Sequence, residues 1–372
     1  MCWPLSALTI VYFETITGNY ALAFAIFSIE AFTQTFGEIP TGILSDIMGR
    51  RYTMIAGSFS MFFGSLCFAL AGTFHSTGLL MIGGVLWGLS NAFRSGTDEA
   101  LIHDTMTELR KRHKYDIVFS KSHIFRQLGG ATSSVVAISV LYFYPLSVLA
   151  WISVIPDFTQ SIISLLLVEP KINVTKGSNP LVHLRNAIKN IRHNGYLKKV
   201  ALLVCCNKAI DITSYRMEST YFNHLIPTWL VNAVILIRQA CGAISFSIAP
   251  LIRKIGFLKI VIVSIFGNIL FRVIGLILNN ILSPFVMVLQ NLFLGTANTS
   301  ESALLQKEFS DKERATMGSL VSLFEGIIKA ISYYVFGFIA DIAGIYVAIV
   351  LLIAAKGLIG TGYTLLARRK SA

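Results

Sequence analysis

Apolar residues run along this chain in long blocks separated by short polar stretches. Twelve blocks stand out, near 3–18, 20–43, 52–71, 78–98, 122–143, 148–168, 200–222, 229–252, 258–278, 284–305, 315–339 and 344–366. Each is close to the roughly 20 residues with which a helix crosses a bilayer. The pattern predicts an all-α membrane protein with twelve transmembrane helices. The longest polar stretch, 169–199, divides six blocks from six. The expected organisation is a six-helix bundle over 1–168, a linker over 169–199 and a second six-helix bundle over 200–372. Within the linker, Leu181, Leu184, Ile188 and Ile191 share one helical face, opposite Arg185, Lys189 and Arg192. That face suits an amphipathic helix on anionic lipid, or an ordinary solvated linker helix.

Composition supports the membrane reading. Hydrophobic residues make up 54% of the chain and charged ones 13%, against about 25% charged in soluble domains. The mean hydropathy is +0.68. A net charge of +12 suggests nucleic acid until its distribution is examined. Of 31 Lys and Arg, 23 lie in alternate loops and the C-terminal tail, and the intervening loops hold none. By the positive-inside rule the basic loops, the linker and both termini are cytoplasmic, in a multi-pass protein of the cell membrane. No nucleic-acid partner is expected. The first block has no basic flank or small-residue cleavage site, so it is read as a span and not as a signal peptide. The five cysteines form no CxxC, and packing is their expected role. The sequon Asn173-Val-Thr175 falls in the cytoplasmic linker and is discounted. His103, His113 and His123 have no metal-site spacing, and neither metal nor cofactor is expected.

Between the second and third blocks stands Gly42-x-Leu44-x-Asp46-x-x-Gly49-Arg50-Arg51. Its charges sit where a helix leaves the bilayer and must be neutralised locally or reach water. Its glycines permit close helix contact and a tight reversal. The pattern resembles the loop between helices 2 and 3 of major facilitator superfamily transporters, with Ile47 where that family usually has a basic residue. The resemblance implies two six-helix bundles around a central cavity. It places helices 1, 4, 7 and 10 on the cavity, 2, 5, 8 and 11 beside it, and 3, 6, 9 and 12 outside. It also implies that Gly42 packs helix 2 against helix 11, and that Asp46, Gly49, Arg50 and Arg51 belong to a cytoplasmic gate. The stretch Ser95-Gly-Thr-Asp98-Glu99-Ala100, with Glu38-Ile-Pro-Thr-Gly42, looks like a group of bacterial members of unassigned substrate. Drug/proton antiporters of the family carry an arginine where this chain has Gly84, and a Gly-Pro pair that Gln127-Leu-Gly-Gly-Ala-Thr lacks.

The two halves are related as pseudo-repeats. A shift of 207 places Gly49 on Gly256, Gly88 on Gly295 and Asn91 on Asn298. It also places Asp46 on Arg253 and Arg94 on Glu301. Two arrangements compete for Arg94 at the gate. It pairs with Asp46, which would also face a capping box at Ser310 and Glu313, or it reaches Glu301 across the cavity.

Eight basic residues lie inside blocks. With 1.5 Å of rise per residue, Glu30, Lys208, Asp211, Arg238, Glu325 and Lys329 fall near mid-membrane, where a charge must pair or face water. Lys208 and Asp211 are three apart, and Glu325 and Lys329 four apart, so each pair is placed for a bridge along its own helix. These are internal salt bridges, or a charged cavity wall with Tyr215 and Tyr333 alongside. Glu30, with Gln34 one turn below, is either a proton-coupling acid or neutralised by a neighbouring helix. Asn91, Asn298 and Arg238 complete the substrate candidates. Asp157, Arg272 and Lys356 fall on outer helices, where inter-helix structural pairs are expected.

The expected function is a monomeric secondary transporter that moves a small solute by alternating access, coupled to protons. Its surroundings are the lipid bilayer. The chain contains no G-x-x-x-x-G-K-[ST], HExxH or G-x-S-x-G, which argues against an ATPase or a membrane enzyme. Multidrug efflux, and a sensor or scaffold on a transporter fold, are the alternatives.

Overall fold

The computed structural model describes residues 3–170, 195–309 and 314–371, which contain helices and turns but no strand. The linker helix expected within 171–194, the capping box at Ser310 and Glu313, and the side chain of Asp46 lie outside the described set. The chain divides into two compact units, Met1–Gly177 and Ser178–Ala372.

The first unit contains α1 (Thr9–Thr17), α2 (Tyr20–Met48), α3 (Arg50–Phe74), α4 (Thr77–Arg94), α5 (Thr97–Glu108), α6 (Tyr115–Phe143) and α7 (Leu146–Ser164). The helix starts are written locally. Asn19 caps α2 by accepting from the N–H of Leu22 at 2.8 Å, and Ser76 caps α4 through that of Leu79 at 3.4 Å. Gly49 alone separates α2 from α3 and takes φ +96°, a conformation that costs glycine little. Past Arg94, Gly96 turns the chain into α5, a polar helix within the connection between the fourth and fifth blocks. Helix α4 packs against both α2 and α3, and α3 also packs on α7.

Two devices hold this unit. One is aromatic: Trp87 lies 4.0 Å from Trp3 and 5.0 Å from Phe68, centroid to centroid, and Tyr12 donates to the Phe68 carbonyl at 2.8 Å. The other is small-residue contact between α2 and α4. A Cβ on Gly84 would lie 3.1 Å from the Ile26 carbonyl oxygen, and one on Gly88 only 2.5 Å from that of Glu30. The four-residue spacing of these glycines lets two backbones meet on one face.

The second unit contains α8 (Gly195–Leu225), α9 (Thr228–Ile248), α10 (Phe257–Leu278), α11 (Ser283–Met287), α12 (Leu294–Glu308), α13 (Arg314–Ala343) and α14 (Ile345–Ser371). The block near 284–305 is not one α-helix. A 3-10 stretch, Val288–Phe293, interrupts it between α11 and α12. Helix α8 packs on α13 and α14, and α9 packs on the 3-10 stretch and α12. Gly295 lets α12 approach α9, for a Cβ there would meet the Phe246 backbone nitrogen at 2.4 Å.

Among the described residues, seven helices are long and apolar enough to cross a membrane: α3, α6, α7, α9, α10, α13 and α14. The five remaining blocks are shorter or more polar. The first yields a nine-residue α1 preceded by turns. Helix α2 carries Glu30, Glu38 and Pro40, α4 ends on Asn91 and Arg94, and α8 holds Lys208, Asp211 and Glu218. The fifth is the interrupted block, with Gln290 and Glu301.

Candidate functional site

Each unit has its own polar cluster. In the first, the single-residue turn at Gly49 leaves the opening N–H groups of α3 without helical acceptors. The N–H groups of Arg50 and Arg51 donate to the two carboxylate oxygens of Glu169, at 2.9 and 2.6 Å. A carboxylate there also meets the positive end of the helix dipole. Gly49 makes room for it, since a Cβ would sit 2.9 Å from the Glu169 carboxyl carbon. The Arg50 guanidinium lies 2.9 Å from Asp104 of α5, and that of Arg51 donates to the Leu165 carbonyl at 3.2 Å. The turn is thus tied to α5 and to the segment after α7. Gly42 has no such neighbour, for a Cβ there meets nothing within 4 Å among the described residues.

Arg94 donates to Asp98 at 3.4 Å, and Arg126 of α6 lies 3.7 Å from the same oxygen. Asp98 and Glu99 occupy the first turn of α5, where acids favour the helix dipole. Deeper in the unit, Asn91 donates to Glu30 at 3.2 Å, across the α2–α4 contact that Gly88 permits. Gln34 donates to Glu38 at 3.5 Å. Asp157 is buried and accepts from Ser65 of α3.

The second unit buries a set of charges around α8. Glu218 is fully buried. It accepts from Arg238 of α9 at 2.9 Å, pairs with Arg272 of α10 at 3.0 Å, and accepts from Gln290 of the 3-10 stretch at 2.8 and 3.0 Å. Arg272 also donates to Gln290, and to Ser214 at 3.0 Å, and lies 3.8 Å from Asp211. Asp211 pairs with Lys356 of α14, and Lys208 with Glu325 of α13 at 2.9 Å. The Arg238 guanidinium stands 4.5 Å from the centre of the Tyr215 ring. Glu301 of α12 is fully buried and accepts from Asn207 at 3.0 Å and Tyr363 at 2.8 Å.

These pairings differ from those that spacing along one helix predicts. Lys208 and Asp211, expected to bridge each other, turn to α13 and α14. Glu325 takes Lys208 in place of Lys329, which makes no ion pair among the described residues. A bridge between helices satisfies a desolvated charge and a packing contact together, whereas one along a helix joins nothing new. Arg272 and Lys356 are inter-helix partners, as expected. Lys208, Tyr215, Asn298, Glu325 and Lys329 are only partly buried, while Arg238 is enclosed.

Sequence reasoning missed Glu169, Asp104, Asn207, Glu218, Gln290 and Tyr363. For Glu218 a signal was present: Asp211, Ser214 and Glu218 recur at helical spacing on one face of α8. Glu169 stands at the end of an apolar block, and only the fold brings it to Gly49. Among the described residues no cluster of His, Cys, Asp or Glu is placed to hold a metal ion.

Comparisons with known proteins agree on the architecture. The sequence profile of the Major Facilitator Superfamily matches residues 4–234. No curated protein sequence matches. A point mutant of the nucleoside transporter NupG superposes with a TM-score of 0.80 at 15% identity, covering 97% of this chain and 94% of that one. Unmutated NupG gives 0.75 at 14% identity, with the same coverage of both chains. The POT family transporter PepTSo gives 0.72 at 13% identity, covering 98% of this chain and 94% of that one. At such identities the likeness is one of fold.

The Glu169 cap yields a prediction. Glu169→Gln keeps the shape but removes the charge from two hydrogen bonds and a helix end, at a cost of about 1–2 kcal/mol. The unfolding midpoint of the purified protein should drop by a few degrees, and Gly49→Ala should do the same through strain and collision. Unchanged midpoints in both would show that the cap contributes nothing.

Proposed function

Because this chain belongs to the major facilitator superfamily, we propose that it is a secondary active transporter of twelve membrane-crossing helices in two six-helix repeats. It moves a small polar solute by alternating access, coupled to protons, and lies in the cell membrane with both termini cytoplasmic. One observation carries the reading. The five blocks that fall short of simple apolar spans are the first, second, fourth, seventh and tenth, and they include all four that the family places on its cavity. Polarity is concentrated in the second, fourth, seventh and tenth blocks, while the charges on outer helices, Asp157, Arg272 and Lys356, are buried against partners.

The repeat is supported by backbone as well as sequence. Gly49 and Gly256, equivalent under the shift of 207, both precede the helix of the third block of their unit, with φ +96° and +95°. Gly88 and Gly295 both bring the fourth block against the second of its unit. The transporters of similar fold carry nucleosides or belong to a peptide-transporter family, by name, which favours a hydrogen-bonding solute over a purely apolar one. Lys208, Asp211, Tyr215, Asn298, Glu325 and Lys329 are the solute-facing candidates of the second unit, with Gln34 and Asn91 in the first. Arg238 acts indirectly, by holding Glu218. Glu30, hydrogen-bonded to Asn91, is the proton-coupling candidate.

Proteoliposome flux of nucleosides, dipeptides and other polar solutes, with and without a proton gradient, tests the function. At least one solute should accumulate only with the gradient. Glu30→Gln should abolish that uphill movement and leave solute exchange largely intact. Gradient-independent flux of every solute, or unchanged uphill transport in the variant, overturns the coupling.

The topology is tested by single cysteines in a cysteine-free background. His75→Cys and Asn280→Cys, at exposed turns, should react with an impermeant thiol reagent added outside, and Lys111→Cys should not. The reverse pattern sinks the orientation.

At the gate, Arg94 pairs with Asp98, a partner that neither expected arrangement includes, and Glu301 is enclosed by Asn207 and Tyr363 in its own unit, which leaves Asp46 the stronger of the two expected gate partners. Double-mutant cycles on transport rate should therefore couple Arg94 with Asp46 and not with Glu301. Coupling to Glu301 alone reverses the assignment.

A further inference from the structure

Where the start of α8 meets the end of α14 there is an open cleft of about 310 Å³, lined by Lys199, Leu202, Leu203, Gly362, Leu365 and Leu366. Its size is at the lower end of ligand clefts, roughly 300–1,000 Å³. The floor is Gly362 against Leu203, where an added Cβ would come within 2.7 Å of the leucine. Leu202 and Leu365 form the rims and are 57% and 59% exposed. Apart from the Lys199 amine, every side chain on the lining is hydrocarbon. Lys198 and Lys199 are both exposed and make no ion pair among the described residues. Arg368, also exposed, follows two residues after Leu366.

We propose that this cleft binds one anionic phospholipid, with the upper part of an acyl chain between α8 and α14 and the phosphate on Lys199. Two features select this occupant. The apolar walls offer a polar solute nothing to hydrogen-bond, so the cleft is not a continuation of the transport path. The cations stand at one end of it, beside the basic end of α14, in the geometry of a lipid whose headgroup lies at the interface and whose chain runs down the helices. The inference rests on the reading that α8 and α14 cross the bilayer, but not on what the protein transports.

Native mass spectrometry of the purified, delipidated full chain, titrated with phosphatidylglycerol, tests it. The wild type should bind its first phosphatidylglycerol about fivefold more tightly than Lys199→Gln, the effect of one cation at a lipid surface. Leu365→Trp, which fills the cleft from an exposed rim, should weaken the same event. Lys199→Arg should restore it. Phosphatidylcholine should bind equally weakly to all four proteins, and glycerol 3-phosphate should not compete. Equal first-lipid affinity in the wild type, Lys199→Gln and Leu365→Trp overturns the site. Displacement by glycerol 3-phosphate would show a phosphate site without a chain, and equal retention of phosphatidylcholine would remove the charge selectivity; either result also overturns the proposal. Because transport is not read, a failure here leaves the functional proposal standing, and a failed flux assay leaves the lipid site standing.

Discussion

Glu218 has no water to solvate it, and much of the second unit is arranged around that constraint. An isolated carboxylate in a low-dielectric interior costs several kcal/mol even after relaxation, so it persists only where cations and donors surround it. Arg238, Arg272 and Gln290 supply them from α9, α10 and the 3-10 stretch. Arg272 then passes the requirement on to Asp211, and Asp211 to Lys356 of α14. Five segments are thus bound to one another by groups that cannot be removed singly. Deleting one partner strands another charge, which is worse than never having buried either.

The first unit solves its packing by other means. Its long helices meet through glycine and aromatic contacts, Gly88 against the Glu30 carbonyl and Trp87 between Trp3 and Phe68. Its ion pairs gather near helix ends, Arg50 with Asp104 and Arg94 with Asp98, at side chains 15–26% exposed. Partly hydrated pairs contribute little to stability and separate at little cost. The two units thus differ in what holds them together. One is held inside by ion pairs, and the other by close backbone contact, with its ion pairs near helix ends.

How much of this was legible in the sequence depended on whether the information was local. Seven apolar spans and the turn at Gly49 could be read directly, because periodicity and glycine placement act within a few turns of helix. The break at Val288–Phe293 could not, since no proline or glycine falls inside it and Gln290 and Asn291 read as two polar residues in an apolar run. Its reason is tertiary: Gln290 serves Glu218, seventy-two residues away. Lys208 and Glu325 failed similarly. Spacing offered each a partner on its own helix, and the fold offered a better one across a helix contact. Glu169 was silent because its acceptor role exists only once α7 returns to the start of α3.

Glu301 brings the local and tertiary arguments into direct conflict. A shift of 207 residues aligns it with Arg94, a pairing of opposite charges that sequence alone makes attractive. The fold commits one of its oxygens to Asn207 and Tyr363. A hydrogen bond is worth about 0.5–1.5 kcal/mol, and a buried polar group left without one costs about 1–3 kcal/mol, so drawing Glu301 out to an arginine would forfeit two bonds and leave a buried asparagine and tyrosine unsatisfied. An exposed ion pair returns about 1 kcal/mol at most. The balance keeps Glu301 inside its unit. The aligned positions are therefore not a pair: the first unit has a partly exposed cation there and the second a buried acid.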